Sequence, residues 1–154
     1  MDKKDLISHI NNFMIEKGFK LFSKTSSSSV YVCETKDLFL RVRLDHSSYY
    51  ESKYLRYNFG IKELCGNHYD ESNPLIFTFY VALEMGCLNP CDYDAIKLKK
   101  ELSKKYEKFL HPLIENGMNY ICSSKSLIGK TPTYSFRKEV LEFINNYKVK
   151  HNIK

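Results

Sequence analysis

The sequence predicts an α+β fold: an antiparallel sheet of four to five strands after an N-terminal helix, with C-terminal helices packed on one face. Three observations carry this. A chain of 154 residues suits one domain, expected to run over 1–154, with enough length to bury a core. Apolar residues alternate with period two through the first half, the signature of strands. From Asn89 the apolar spacing becomes helical, and runs of strands followed by runs of helices define the α+β class.

The first helix is expected over Lys3 to Lys17, where Leu6, Ile10, Phe13 and Met14 recur at helical spacing, acids sit in the first turn and Gly18 supplies the stop. Phe19–Ser23 is a short strand, Ser26–Ser29 a turn and Val30–Thr35 a second strand in which Cys33 is half-buried. Leu38–Asp45 is the clearest strand. Leu38, Leu40, Val42 and Leu44 fall on one face, and Phe39, Arg41, Arg43 and Asp45 on the other. After a polar loop over His46–Lys53, Tyr54–Ile61 turns Leu55, Tyr57, Phe59 and Ile61 inward and Tyr54, Arg56 and Asn58 outward. Leu75–Leu83 completes the series, and short loops between sequential strands favour a meander.

Asn89-Pro90 reads as an N-cap with proline at the first helical position. Ala95, Leu98, Leu102, Tyr106, Phe109 and Leu113 then trace the most regular amphipathic stripe of the chain, which His111-Pro112 should kink or divide. Ser123–Thr133 is a loop. A last helix from about Ser135 to Lys148 carries Phe136, Val140, Phe143 and Tyr147 on one stripe.

The composition is 43% hydrophobic and 27% charged, which excludes a disordered chain. Its Lys, Asn, Ile and Tyr content is that of an AT-rich genome, bacterial or viral. No stretch of 18 apolar residues occurs, and acids and amides interrupt Met1–Lys20. Neither a membrane span nor a signal peptide is therefore expected, and the expected location is cytoplasmic. Five widely spread cysteines point to free thiols in a reducing compartment.

The net charge of +6 is uneven: residues 1–92 hold 11 basic and 12 acidic side chains, and residues 93–154 hold 13 and 6. Lys97, Lys100, Lys104 and Lys108 form a stripe opposite the apolar face of the long helix, with Lys99 and Lys105 beside it. Such a stripe suits nucleic acid or an acidic protein. The alternative is a solvated face with Glu101 and Glu107 as partial partners. The stripe has no Arg, which favours protein over nucleic acid.

Among soft ligands, Cys65-x-x-His68 and Cys87-x-x-x-Cys91 have pair spacings that zinc accepts. Against them stand the long apolar segment between the pairs and the strand that Cys65 would close, so no metal and no cofactor is expected. Gly129-Lys130-Thr131 lacks the preceding glycine and strand of a phosphate loop, since Ser124 occupies the glycine position. Asp45-His46-Ser47 are neighbours whose side chains must point apart, so no triad forms there and no catalytic residue is assigned.

Arg41, Arg43 and Arg56 are the strand arginines, with Tyr54, Asn58, Thr78 and Tyr80 nearby on the same outer face. Arg with Tyr is the composition of an interface core; the alternative is that the C-terminal helices cover this face, with Arg43 paired to Asp45 or to a helix acid.

Gly18-Phe19-Lys20, the run from Arg41-Val42-Arg43-Leu44-Asp45-His46-Ser47-Ser48 to Tyr49-Tyr50, and Tyr57-Asn58-Phe59-Gly60-Ile61 resemble an uncharacterised family of small bacterial proteins, domain of unknown function four-three-zero-four. The likeness spans roughly the first half of the chain. Where that family tends to carry Gln before the Ser, this chain has Asp45-His46. The resemblance implies the helix-then-strands order and no chemistry.

The expected function is thus non-catalytic binding of a protein partner, of inhibitor or immunity type. The site would be Arg41, Arg43, Arg56, Tyr54, Asn58 and Tyr80, together with the basic helix. Nucleic-acid binding by the lysine stripe comes second, and an enzyme acting on a phosphate-bearing substrate at the arginine cluster third.

Overall fold

The computed structural model describes residues 1–49, 51–65, 80–126 and 138–153. Helix α1 covers Lys3–Glu16, with Asp2 as N-cap accepting from the Asp5 amide at 2.8 Å. It ends in a Schellman turn at the predicted glycine. Gly18 takes φ +89, its amide donates to Ile15 O, and the Phe19 amide reaches back to Met14 O. Phe19 is buried there, which fixes the angle at which the chain enters the sheet.

Strands β1 (Lys20–Lys24), β2 (Ser28–Glu34), β3 (Leu38–Asp45), β4 (Lys53–Ile61) and β5 (Val81–Leu88) form one antiparallel meander in sequence order. Register places Leu38, Leu40, Val42 and Leu44 opposite Ile61, Phe59, Tyr57 and Leu55. All eight are buried in the principal core, as the alternation in β3 and β4 predicts. The short helix α2 (Lys62–Cys65) follows β4 directly. Cys65 therefore stands on a helical turn and not at the end of a strand.

The helices α3 (Ala95–Lys105), α4 (His111–Asn116), α5 (Met118–Ile121) and α6 (Lys138–Lys150) pack with α1 on the inner face. They contribute Leu98, Leu102, Leu113, Ile121, Val140 and Ile144 to the core. Burial of this stripe, at about 25 cal/mol per Å² of apolar surface, is what holds helices to sheet.

Three expectations shift. β5 lies over Val81–Leu88 and so continues past the expected end at Leu83; residues 75–79 of the expected strand fall outside the described residues. The strand contains a bulge. Tyr57 pairs with Glu84 and Asn58 with Ala82, so Leu83 is an extra residue and the period-two pattern breaks inside the strand. Asn89 caps only a single 3-10 turn at Pro90–Asp92, its side chain accepting from the Cys91 amide at 3.1 Å. The long helix starts five residues later, where Asp94 accepts from the Lys97 amide at 2.7 Å. Lys53, expected in a polar loop, begins β4 and is buried, with its ammonium donating to Ser47 O at 2.8 Å.

The division at His111-Pro112 is present in a specific form. Between α3 and α4 the backbone runs as a π turn over Tyr106–Leu110. Proline lacks the amide that would continue an α ladder, and the wider turn absorbs the mismatch. Among the described residues no helix is long and apolar enough to cross a membrane.

Candidate functional site

The outer face of the sheet is built by the residues that alternate with the core. Arg41 stands opposite Asn58, Arg43 opposite Arg56, and Asp45 opposite Tyr54; across β4, Arg56 faces Met85, Tyr54 faces Cys87 and Asn58 faces Ala82. Two like charges directly across a strand pair repel. Asp45 resolves this by bridging them. Arg43 Nε donates to Oδ1 at 2.9 Å, and Arg56 Nε lies 3.2 Å from Oδ2.

The inner-face helices do not cover this surface, and it divides into two parts. At one end Arg41 is only 8% exposed, with its guanidinium 5.4 Å from the ring centroid of Tyr80. Cys65 and Tyr80 close over Gly60 so tightly that a Cβ on Gly60 would stand 2.8 Å from the sulfur and 3.2 Å from the ring. Val30, Val32 and Phe39 are buried on this same side, outside the principal core. Burial raises the Tyr80 phenol well above its ordinary range, with the nearby Cys65 adding to the rise, and the Arg41 guanidinium opposes it. It pushes the Cys65 thiol up to about 11.

At the other end the face is open. Tyr54 is 37% exposed and Met85 58%, the Arg56 side chain is 50% exposed, and Cys87 is exposed. Arg41 is thus buried and Tyr80 half-buried at this end, away from the open part of the face. Arg43, Arg56 and Tyr54 remain on the accessible side. Asn58 is half-buried, and its side-chain oxygen has no hydrogen-bond partner among the described residues.

The lysine stripe is split by the π turn. Lys97, Lys100 and Lys104 are exposed along α3, with Lys97 5.6 Å from the Tyr93 ring centroid. Lys108 falls on the wider turn, leaves that line and sits 5.2 Å from the ring centroid of Phe109. There it joins Arg56, Asn58, Ala82, Glu84 and Met85 around a cleft of about 650 Å³ beside β5. Glu84 is held by an ion pair with Lys105. The two predicted basic sets thus meet at one place, through Arg56 and Lys108. Sequence reading missed Glu84 and Met85 as members because they lie beyond Leu83, where the bulge breaks the alternation and the expected strand ends.

Cys65 and Cys87, one from each soft-ligand pair, are far apart. Cys65 abuts Gly60, whereas Cys87 pairs with Tyr54 at the opposite end of β4. Six residues of strand separate these points by roughly 20 Å, so these two thiols cannot share a zinc ion. His68 and the Gly129-Lys130-Thr131 loop lie outside the described residues. Among the described residues no group of three or more His, Cys, Asp or Glu side chains is placed to hold a metal.

Asp45 and His46 do point apart. Asp45 joins the outer arginines, while His46 is 2% exposed on the inner side, its Nε2 3.2 Å from Ser29 Oγ. This Ser–His contact links residues 17 apart in sequence and left no local trace. A nucleophile pair also needs an acid that orients the imidazole. His46 Nδ1 is buried and meets no such group among the described residues.

Comparison with protein-family models, with curated proteins and with solved structures finds no match to this chain.

Proposed function

We propose that this chain is a non-catalytic binding protein of inhibitor or immunity type, which docks an acidic protein surface on the open end of the outer sheet face. The observation that carries this reading is the shared cleft of Arg56 and Lys108. One cation comes from the sheet and the other from the π turn, and Met85 and Phe109 are part of the cleft's apolar lining. Tyr54 and Arg43 extend the surface along β4 and β3. Exposed Arg, Tyr and Met on a rigid sheet are the residue types that concentrate binding energy. Because Asp45 already orients Arg43 and Arg56, little side-chain entropy is lost when a carboxylate of the partner arrives.

The test is affinity capture from host lysate with the wild type and with the double reversal Arg56→Glu/Lys108→Glu. A stoichiometric protein retained by the wild type and released by the variant supports the reading. Equal retention by both, or no stoichiometric protein at all, refutes it.

A second reading rests on Lys97, Lys100 and Lys104, which are exposed and form no ion pair among the described residues. They suit the backbone of a nucleic acid, whose binding would fall steeply with salt. Gel-shift binding that is absent at low salt removes it.

A further inference from the structure

At the far side of the sheet, a groove of about 640 Å³ runs between α1 and the β1–β2 hairpin. Lys3 and Lys4 from the first turn of α1 and Lys24 from the end of β1 stand at its polar rim, and buried Ser29 from β2 lines it from within. Lys24 stands directly opposite Ser29 in the hairpin register. Ile7, Leu21 and Tyr31 supply an apolar wall.

The charge here is unbalanced. Lys3, Lys4 and Lys24 form no ion pair among the described residues. The one carboxylate on the rim, Asp2, accepts the Asp5 amide as the helix cap. Three ammonium groups against one carboxylate leave two positive charges. Two more basic side chains stand behind the rim. His46 touches Ser29, and buried Lys53 holds Ser47 O while Lys3 Nζ donates to the adjacent Ser48 Oγ at 3.0 Å.

We infer that this groove binds a phosphate monoester, with Lys3, Lys4, Lys24 and the Ser29 hydroxyl as its donors. A dianion matches the two unbalanced charges, whereas a carboxylate would neutralise one. Ammonium groups that line one groove from different elements suit an anion with three acceptor oxygens. Burial first, and then repulsion from Lys3, Lys24 and Lys53, holds His46 below its ordinary range; burial and then Lys3 do the same to Lys53. An anion in the groove relieves that repulsion. The site is separate from the outer face, so it stands or falls independently of the docking surface.

The test is isothermal titration calorimetry at low salt with inorganic phosphate, a nucleoside monophosphate and acetate, on the wild type and on Lys24→Gln and Lys150→Gln. Lys24 and Lys150 are both exposed, so neither change disturbs the core. The expected result is saturable binding of phosphate compounds at about millimolar affinity or tighter. Lys24→Gln should weaken it about tenfold, Lys150→Gln should leave it unchanged, and acetate should not bind. Tighter binding of the nucleotide than of inorganic phosphate assigns a larger ligand that uses the Ile7 and Leu21 wall; equal affinity assigns the phosphate group alone. Absence of saturable binding by either phosphate compound, or equal weakening by the two variants, overturns the inference.

Discussion

Arg56 Nε lies 3.2 Å from Asp45 Oδ2, while the other oxygen of the same carboxylate receives Arg43. One acid thereby allows two arginines to face each other across adjacent strands. Asp45→Asn removes the shared counter-charge and leaves the repulsion. Because the groups are partly exposed, the loss should be about 1 kcal/mol or less. It should shrink as salt screens the two cations. Urea unfolding at low and high salt measures both; a loss independent of salt contradicts the account.

Gly60 is required by the closure of Cys65 and Tyr80 over it. Gly60→Ala should destabilise by about 1–3 kcal/mol through overpacking. Adding Cys65→Ala should recover part of that, since the sulfur is the nearest atom to the new methyl. Thermal melting of the single and double variants decides this, and an unchanged melting temperature for Gly60→Ala would falsify the tight contact.

His46 should make stability fall in mild acid. Its folded pKa is lowered, chiefly by burial and then by Lys3, Lys24 and Lys53. The unfolded chain, with an ordinary value of about 6.5, therefore binds the proton first. Stability is unaffected above that value and is lost as pH falls from about 6.5 toward the folded pKa. His46→Gln should flatten this part of the melting-temperature profile. A wild-type profile with the same slope as the variant between about pH 7 and about pH 5.5 would contradict it.

Tyr57 carries a buried hydroxyl without a hydrogen-bond partner among the described residues, and burial drives its phenol well above the ordinary range, with Glu84 and Glu101 adding to the rise. Tyr57→Phe removes an unsatisfied polar atom and keeps the ring packed 6.1 Å from that of Phe109. Stability should rise by up to about 1 kcal/mol. A clear loss in chemical denaturation would show that the hydroxyl has a partner after all.

Strict alternation made β3 legible to the residue, because every second side chain of Leu38–Asp45 is in the core. Gly18 was equally readable as a helix stop, since the turn needs positive φ. Four features were not readable, each for a physical reason. The Leu83 bulge interrupts the period that identifies a strand. Asn89 and Asp94 are both competent caps, and only the fold decides which one starts the long helix. The π turn changes the angular step along the helix, so Lys108 leaves the lysine line and lines the same cleft as Arg56. The groove between α1 and the hairpin gathers Lys3, Lys24, Ser29 and His46 from distant points of the chain. No local pattern announces such a convergence.

The central claim is that the open end of the outer face is the docking surface. Photo-crosslinking in cell lysate tests it most directly, with the reactive group placed either at Met85 on that face or at Leu141, which is exposed on α6. The account predicts one discrete crosslinked protein from Met85, lost when Arg56→Glu is added, and none from Leu141. Crosslinking from Leu141 with none from Met85 would contradict it.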